Sequence, residues 1–336
     1  ENDWERLDRF SEILIFFDSD EAGKAGAQEV ARRLGLERCK LVTLPAKDAN
    51  EYLLQGAEGY DFWEATKEAK TLDPEEMRQS SDFIAKVKAL FYPAHSDDRD
   101  PVLRLDRDLD WFEFRPGELT VWTGYNGHGK SLMLSQVLLG LMAQGERVMV
   151  FSGEMTPERQ LKRTVKQAAG MDRPTMQYID AIGEWIHDKQ WLFNVVGSAG
   201  IDRLLTVFLY GNKRYGMRHF VIDSLMMTDV PEDGAGSMTA QKEAMRKLCD
   251  FAKRNACHLH LVAHPRKGVD ETKGPGKLDV AGSSKITDGA DNVFTVWSAR
   301  KDENDQDTDP DMPDCRLELQ KQRNGDTQHY KQHLWF

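Results

Sequence analysis

The residues Gly124, Tyr125, Asn126, Gly127, His128, Gly129, Lys130 and Ser131 fit the pattern G-x-x-x-x-G-K-[ST]. Average residue usage gives a chance match on the order of one per cent in a chain of this length. Each residue type has a chemical reason to be there. Glycines let successive backbone N–H groups turn inward around an anion. A helix opening at Lys130 would point the positive end of its dipole at the same charge. Lys130 would reach the β- and γ-phosphates of a nucleoside triphosphate, and Ser131 would hold Mg²⁺. The nucleotide-binding stretch is therefore read as Gly124 through Leu132. The bland alternative is an ordinary glycine-rich turn.

Phosphoryl chemistry needs further groups at neighbouring strand ends. The apolar run His219–Ile222 ends in Asp223, which is expected to share the magnesium with Ser131. Val148–Ser152 leads through Gly153 to Glu154, a candidate base to activate the attacking water. The competing reading makes Glu154 a helix-start acid, since Thr156, Pro157 and Glu158 come directly after it. Leu259–Ala263 ends in His264, where a polar group could sense the γ-phosphate. A buried structural histidine is the alternative there.

Elements must bring these residues together. Strands are expected at Leu119–Trp122, Val148–Ser152, His219–Ile222, His258–Val262, Asn292–Ser298 and Arg316–Gln320. Helical patterns cover Leu132–Ala143, Asp202–Tyr215 and Ala240–Asn255. This alternation predicts an α/β fold with a mostly parallel sheet and flanking helices. The last strands lack a helix between them and should pair as a hairpin with an acidic tip, Asp302–Asp314. Upstream, Ile13–Phe17, Glu21–Leu34 and Lys40–Leu44 read as strand, helix, strand. Between them and the larger unit, Ser81–Phe91 carries Phe83, Ile84, Val87 and Leu90 at helical spacing, an amphipathic linker helix. The expected division is 1–60, a linker over 61–102, and 103–336.

Bulk properties narrow the classes. The chain has 336 residues and a formal net charge of -11, which argues against a broad basic face that coats duplex DNA. No apolar run approaches the roughly 20 residues of a membrane span, and no leader peptide is visible at the acidic N-terminus. The chain does not begin with Met, so it is expected to be a fragment or a processed chain. Cys39, Cys249, Cys257 and Cys315 form no C-x-x-C pair and read as reduced thiols. His258 and His260 beside Cys257 lie in an apolar run and read as structural rather than metal-binding. A cytoplasmic setting is expected, that of a host if the chain is phage-encoded, with a mitochondrial one left open.

In order, Gly124–Ser131, Glu154, His219–Ser224, His264-Pro265-Arg266-Lys267, Gly282–Lys285, Asp288–Asn292 and Leu319–Asp326 resemble the helicase half of bifunctional phage primase–helicases and Twinkle-like proteins, within the DnaB-like ring helicases. Asp18, Asp20, Gly23, Lys47, Asp48 and Asn50 resemble the second half of a Toprim domain. Only 12 residues precede its first apolar run, too few for the upstream Glu that Toprim metal sites use, so primase activity is not expected of this chain.

The resemblance implies a RecA-like ATPase, preceded by a partial Toprim-like unit and the linker helix, that uses ATP or another NTP with Mg²⁺. It implies a homo-oligomeric ring, usually a hexamer, translocating on single-stranded DNA, with a replicative polymerase as a further partner and no membrane. Arg323, with Lys321 nearby, would be the finger reaching a neighbour's nucleotide, and the linker helix would grip the next protomer. Two segments would line the DNA channel, Asp229–Met238 and 266–285, the second through Arg266, Lys267, Lys273, Lys277 and Lys285. Competing readings are a RecA-like recombinase and a nucleotide-gated loader or scaffold that does not translocate.

Overall fold

Apolar runs too short to be anything but buried strands alternate with amphipathic helices through most of this chain, and this alternation gives a layered α/β architecture. The computed structural model describes residues 4–72, 77–92, 99–105, 108–195, 197–231, 234–264, 284–298, 315–327 and 330–334. It divides into two units, Glu1–Ser96 and Asp97–Phe336.

The first unit runs α1 (Trp4–Leu7), β1 (Ile13–Phe16), α2 (Glu21–Leu34), β2 (Cys39–Val42), α3 (Ala49–Leu54), α4 (Gly59–Lys67), β3 (Lys70–Thr71) and α5 (Ile84–Phe91). β1 and β2 pair in parallel, with Ile13 opposite Cys39, so the expected strand–helix–strand unit is present. Ile15, Ala27, Ala31, Leu34 and Cys39 form its small core. Asp20 opens α2 by accepting a 2.8 Å hydrogen bond from Gly23 N, the usual role of an N-cap aspartate. The expected linker helix forms as a short 3-10 turn, Ser80–Phe83, continued by α5. Its apolar residues Phe83, Ile84, Val87, Leu90 and Phe91 are exposed.

The second unit begins with a hairpin, β4 (Val102–Arg104) and β5 (Asp108–Glu113). It continues β6 (Leu119–Thr123), α6 (Lys130–Ala143), β7 (Val148–Ser152), α7 (Pro157–Ala169), α8 (Met176–Ile186), β8 (Gln190–Leu192), α9 (Ile201–Tyr215), β9 (His219–Asp223), α10 (Ser237–Arg254), β10 (His258–Ala263), α11 (Ser284–Gly289), β11 (Asn292–Ser298), β12 (Cys315–Gln322) and β13 (Tyr330–Leu334). The sheet order is β13-β12-β11-β6-β10-β9-β7-β8. From β11 to β8 neighbouring strands are parallel, and β12 and β13 close one side antiparallel. β6, β7, β9 and β10 are buried at every position. That is the pattern of parallel strands covered on both faces. Alternate residues supply two cores: Leu119, Val121, Phe220, Ile222 and Leu261 with α9 and α10 on one side, and Trp122, Val150, Val221, Val262 and Phe294 with α6 on the other. No described helix is long and apolar enough to cross a membrane.

Three histidines interrupt this apolar interior. His219, His258 and His260 are at most 1% exposed and lie on adjacent strands. His258 contacts Thr120 Oγ1 and the Arg115 carbonyl, both at 2.8 Å, and His260 Nδ1 accepts from the Trp122 indole N–H at 3.3 Å. The expected structural reading of His258 and His260 matches this packing. Burial depresses all three imidazoles, His258 to about 4 and the others well below the usual value. The unfolded chain binds protons on these rings below about pH 6.5 while the folded chain does not. Their contribution to stability is thus complete above pH 6.5 and falls as pH drops towards 4. Each titrating ring should contribute a slope of roughly 1.4 kcal/mol per pH unit. Denaturant unfolding at pH 7.5, 6.5 and 5.5 should show this steep acid loss; a flat profile above pH 5.5 would show that the rings are already charged in the fold.

Candidate functional site

The sheet register brings four strand ends to one edge. Thr123 of β6 lies opposite Ala263 of β10, Leu261 opposite Ile222 of β9, and Asp223 opposite Ser152 of β7. The segments that leave these four strand ends therefore share one crevice, the place where open parallel sheets hold ligands. After β6 comes the glycine-rich loop. A Cβ on Gly124 would sit 2.0 Å from the Val296 carbonyl oxygen, so only glycine lets the loop leave the sheet here. Gly129, at φ 86°, opens α6 in the left-handed region that side chains avoid.

Lys130 is 6% exposed. Its ammonium donates to the carbonyls of Gly124 (2.7 Å) and Tyr125 (3.0 Å), curling back over the loop. Burial lowers its pKa to about 8, against the opposing charges of Asp223 and Glu154. Ser131 hydrogen-bonds Asp223, which is itself buried. Burial pushes the Asp223 carboxyl above the usual carboxylate range and the Glu154 charge adds to this, while the Ser131 bond, Arg163 and Lys130 oppose it. A hydroxyl and a carboxylate side by side form a donor set that suits a hard divalent cation such as Mg²⁺.

Glu154 stands two residues before the Thr156 cap of α7, so the helix start and the carboxylate are separate features. Its Oε1 accepts from Ser224 Oγ at 3.3 Å and lies 3.4 Å from His264 Nε2. The same His264 nitrogen is 3.2 Å from Ser224 Oγ, and its Nδ1 donates to Asn126 Oδ1 at 2.7 Å. His264 thus ties the glycine-rich loop to Glu154. His128 Nδ1 accepts from Ser298 N at 3.2 Å, fixing the loop to β11 as well.

Lys321 and Arg323 are not part of this cluster. Asn292 opens β11 opposite both Thr120 and Gln322, so the end of β12 lies level with the start of β6. The two basic residues sit at the opposite edge of the sheet, about 16 Å of strand from the glycine-rich loop. There Lys321 donates to the carbonyls of Thr287 and Asp288, at 2.9 and 3.1 Å, and Arg323 pairs with Asp291 at 2.8 Å. Of the expected DNA-contacting residues, Arg266, Lys267, Lys273 and Lys277 lie outside the described residues; Lys285 is in α11, but its side chain is likewise outside them, as is the 302–314 tip. In the other expected DNA segment, Asp229 Oδ1 accepts from Ile201 N at 3.0 Å, at the start of α9. Sequence reasoning missed Ser224 and Arg163. Ser224 could have been found as the polar residue directly after a strand-end aspartate. Arg163 sits in a charged helix where nothing marks it out from Arg159 or Lys162.

Fold and loop are those of a RecA-like nucleotide-binding domain. The AAA domain family matches residues 98–270, about half of the chain, and the chain belongs to that family. A Toprim-like family matches residues 1–53. The chain is 27% identical over 321 residues to the Twinkle homolog protein, chloroplastic/mitochondrial, of Arabidopsis thaliana, covering 89% of this chain and 45% of that protein. It is 25% identical over 351 residues to the DNA helicase/primase of Enterobacteria phage T3, covering 96% and 59%. It spans about half the length of these curated relatives. The solved structure titled "The Structure Of A DnaB-Like Replicative Helicase And Its Interactions With Primase" matches with a TM-score of 0.61 at 14% identity, over 92% of this chain and 73% of that one. The expected resemblance to Twinkle-like primase–helicases is borne out, and so is the RecA-like α/β fold with its Toprim-like N-terminal region.

The Lys130 environment gives a test of the loop. Bound phosphates would favour its charged form and raise a pKa that stands at about 8 in the free protein. Nucleotide binding at pH 9 should therefore take up a proton, and affinity should fall with rising pH above 8. Calorimetric titrations in buffers of different ionisation heat should show that uptake at pH 9 and little at pH 7. Equal heats at pH 9 in all buffers would remove Lys130 from the phosphate contact.

Proposed function

We propose that this chain is the motor of an ATP-dependent replicative DNA helicase, one that works as a ring on single-stranded DNA and hydrolyses nucleotide between subunits. The observation that carries this reading is the separation of two functional edges on one sheet. Loop, Lys130, Ser131, Asp223, Glu154 and His264 share one edge, and Arg323 stands at the other. An arginine about 16 Å of strand away cannot reach its own chain's γ-phosphate. It can serve a neighbour's, and a contact that joins one edge to the other repeats head to tail, closing into a ring when the rotation allows. The exposed apolar stripe of α5 supports the same assembly, as the segment that grips the next protomer.

In the proposed site, the loop N–H groups and Lys130 hold the β- and γ-phosphates, and Gly124 through Leu132 form the cradle. Ser131 and Asp223 would hold Mg²⁺, which neutralises charge on the phosphate oxygens when bound. Glu154 orients and deprotonates the attacking water. His264, between Asn126 and Glu154, reports the state of the γ-phosphate to the basic segment next to it in the chain, which carries Arg266, Lys267, Lys273, Lys277 and Lys285. Those cations in an otherwise acidic chain suit the backbone of one DNA strand. ATP is the proposed nucleotide, six the proposed ring number, and a replicative polymerase a proposed partner.

Strand separation on a forked duplex with ATP and Mg²⁺ tests the whole reading. Unwinding that needs a single-stranded tail is expected. Strand exchange without unwinding would favour a recombinase, and DNA-independent hydrolysis without strand separation would favour a loader or scaffold. Glu154→Gln should keep nucleotide affinity and lose turnover by on the order of 10²-fold or more; a collapse in binding would make Glu154 structural.

A further inference from the structure

Resting on the assignment of Arg323 to a neighbour's nucleotide, we propose that Asp291 is the positioning residue of that arginine. Asp291 immediately precedes β11 and is 3% exposed. Its two carboxylate oxygens have different tasks. Oδ2 accepts from Leu119 N at 3.0 Å, which locks the side chain to the start of β6. Oδ1 accepts from Arg323 Nη1 at 2.8 Å. The backbones are tied as well: Asp291 N donates to Leu119 O at 2.9 Å, and Arg323 N to Asp291 O at 3.0 Å. Arg323 Nη2 reaches the Asp288 carbonyl at 3.3 Å.

The neighbours on either side are fixed to the same strand start. Glu118 accepts from Asn292 Nδ2 at 2.8 Å with one oxygen and from Asn324 Nδ2 at 2.7 Å with the other. Lys321 donates to the last carbonyls of α11, which hold the far side of the arginine's cradle. This rigidity is directed at a side chain that is 44% exposed. A guanidinium has five N–H donors in a planar fork. Two nitrogens are held, one by the Asp291 carboxylate and one by the Asp288 carbonyl, and the guanidinium has further N–H donors that an anion can use. A lysine has one point charge and cannot divide itself in this way. Asp291 therefore fixes the direction in which Arg323 approaches a neighbour, without touching the nucleotide itself.

Asp291→Asn separates positioning from structure. The amide oxygen can still accept from Leu119 N, while its NH₂ now faces the guanidinium. ATPase rates and nucleotide affinity should be measured on the full chain with Asp291→Asn, Arg323→Ala and both together. We expect turnover of Asp291→Asn to fall on the order of 10²-fold, the effect of misplacing a catalytic group by about an ångström. Nucleotide affinity and thermal midpoint should change little, because the chain's own loop is at the far edge. The double variant should be no slower than Arg323→Ala alone, since the aspartate acts only through the arginine. A purely structural Asp291 would instead lower the thermal midpoint and multiply its loss with that of Arg323→Ala.

The outcomes separate the two claims. If Arg323→Ala turns over like the unaltered chain, the trans assignment itself fails. If Arg323→Ala is slow but Asp291→Asn is not, the positioning role is overturned. Should Asp291→Asn fail to fold, Arg323→Lys provides the test: it keeps the charge but not the fork, and turnover is expected to fall nearly as far as with Arg323→Ala. Near-normal turnover of Arg323→Lys would overturn the proposal.

Discussion

The parallel register of β6, β10, β9 and β7 is the constraint on which the rest depends. A triphosphate carries concentrated charge that no single side chain can neutralise, so several groups must converge on it. Here convergence is achieved by strand alignment. β6, β10, β9 and β7 end at Thr123, Ala263, Asp223 and Ser152, positions closely aligned across the sheet, so that Asp223 stands at its strand end and the loop, His264 and Glu154 lie just beyond. A slip of one residue in any of these pairings would turn its strand's apolar residues to the wrong face. Because both faces are filled, by the Val121 core on one side and the Trp122 core on the other, that slip is strongly opposed. The packing of the two cores and the geometry of the site are therefore one problem, solved together.

The opposite edge of the same sheet is held by polar groups rather than by a ligand crevice. Glu118, Asp291, Asn292, Arg323 and Asn324 form a linked set around the start of β6. Deeper in the same unit, His219, His258 and His260 are packed against Phe114 and Trp122. Such buried polar groups must be paired to be tolerated, and pairing makes their positions exact in a way that apolar packing alone does not. A rigid second edge is what a chain needs if that edge is to act on another subunit. The apolar residues of α5 are exposed, and a helix with no buried residue gains little from its own unit.

Much of this was legible in the residues. The strands β6, β7, β9, β10 and β11 are short, largely apolar runs, helices α2, α9 and α10 carry clear periodicity, and α6 is a longer, nearly continuous apolar run, so patterning alone placed them. Gly124–Ser131 declared its chemistry because its residue types have few other uses together. Other parts were hidden for physical reasons. Helix α7 buries only Thr164 and Val165, so although Thr156, Pro157 and Glu158 signal a helix start, its charged run gives little sign of how far the helix extends. Strand β13 comes so few residues after β12, and is so polar, that only its pairing with Cys315–Leu319 defines it. The link from Asn126 through His264 to Glu154 joins residues 138 and 110 positions apart, and no spacing rule spans such distances. The level at which Arg323 lies was invisible for the same reason, because it depends on register and not on sequence neighbours.

The proposed site joins a loop at one edge to an arginine at the other edge of a different copy. Mixing Arg323→Ala chains with Lys130→Ala chains tests it most directly. Each variant alone lacks one half of every site. In mixed assemblies some interfaces join an intact loop to an intact arginine, and a finger contributes on the order of 10³–10⁵ in rate. With subunit exchange verified by native mass spectrometry, the account predicts ATPase activity in the mixture well above that of either variant alone. A mixture that exchanges subunits yet stays as inactive as its parts would contradict it.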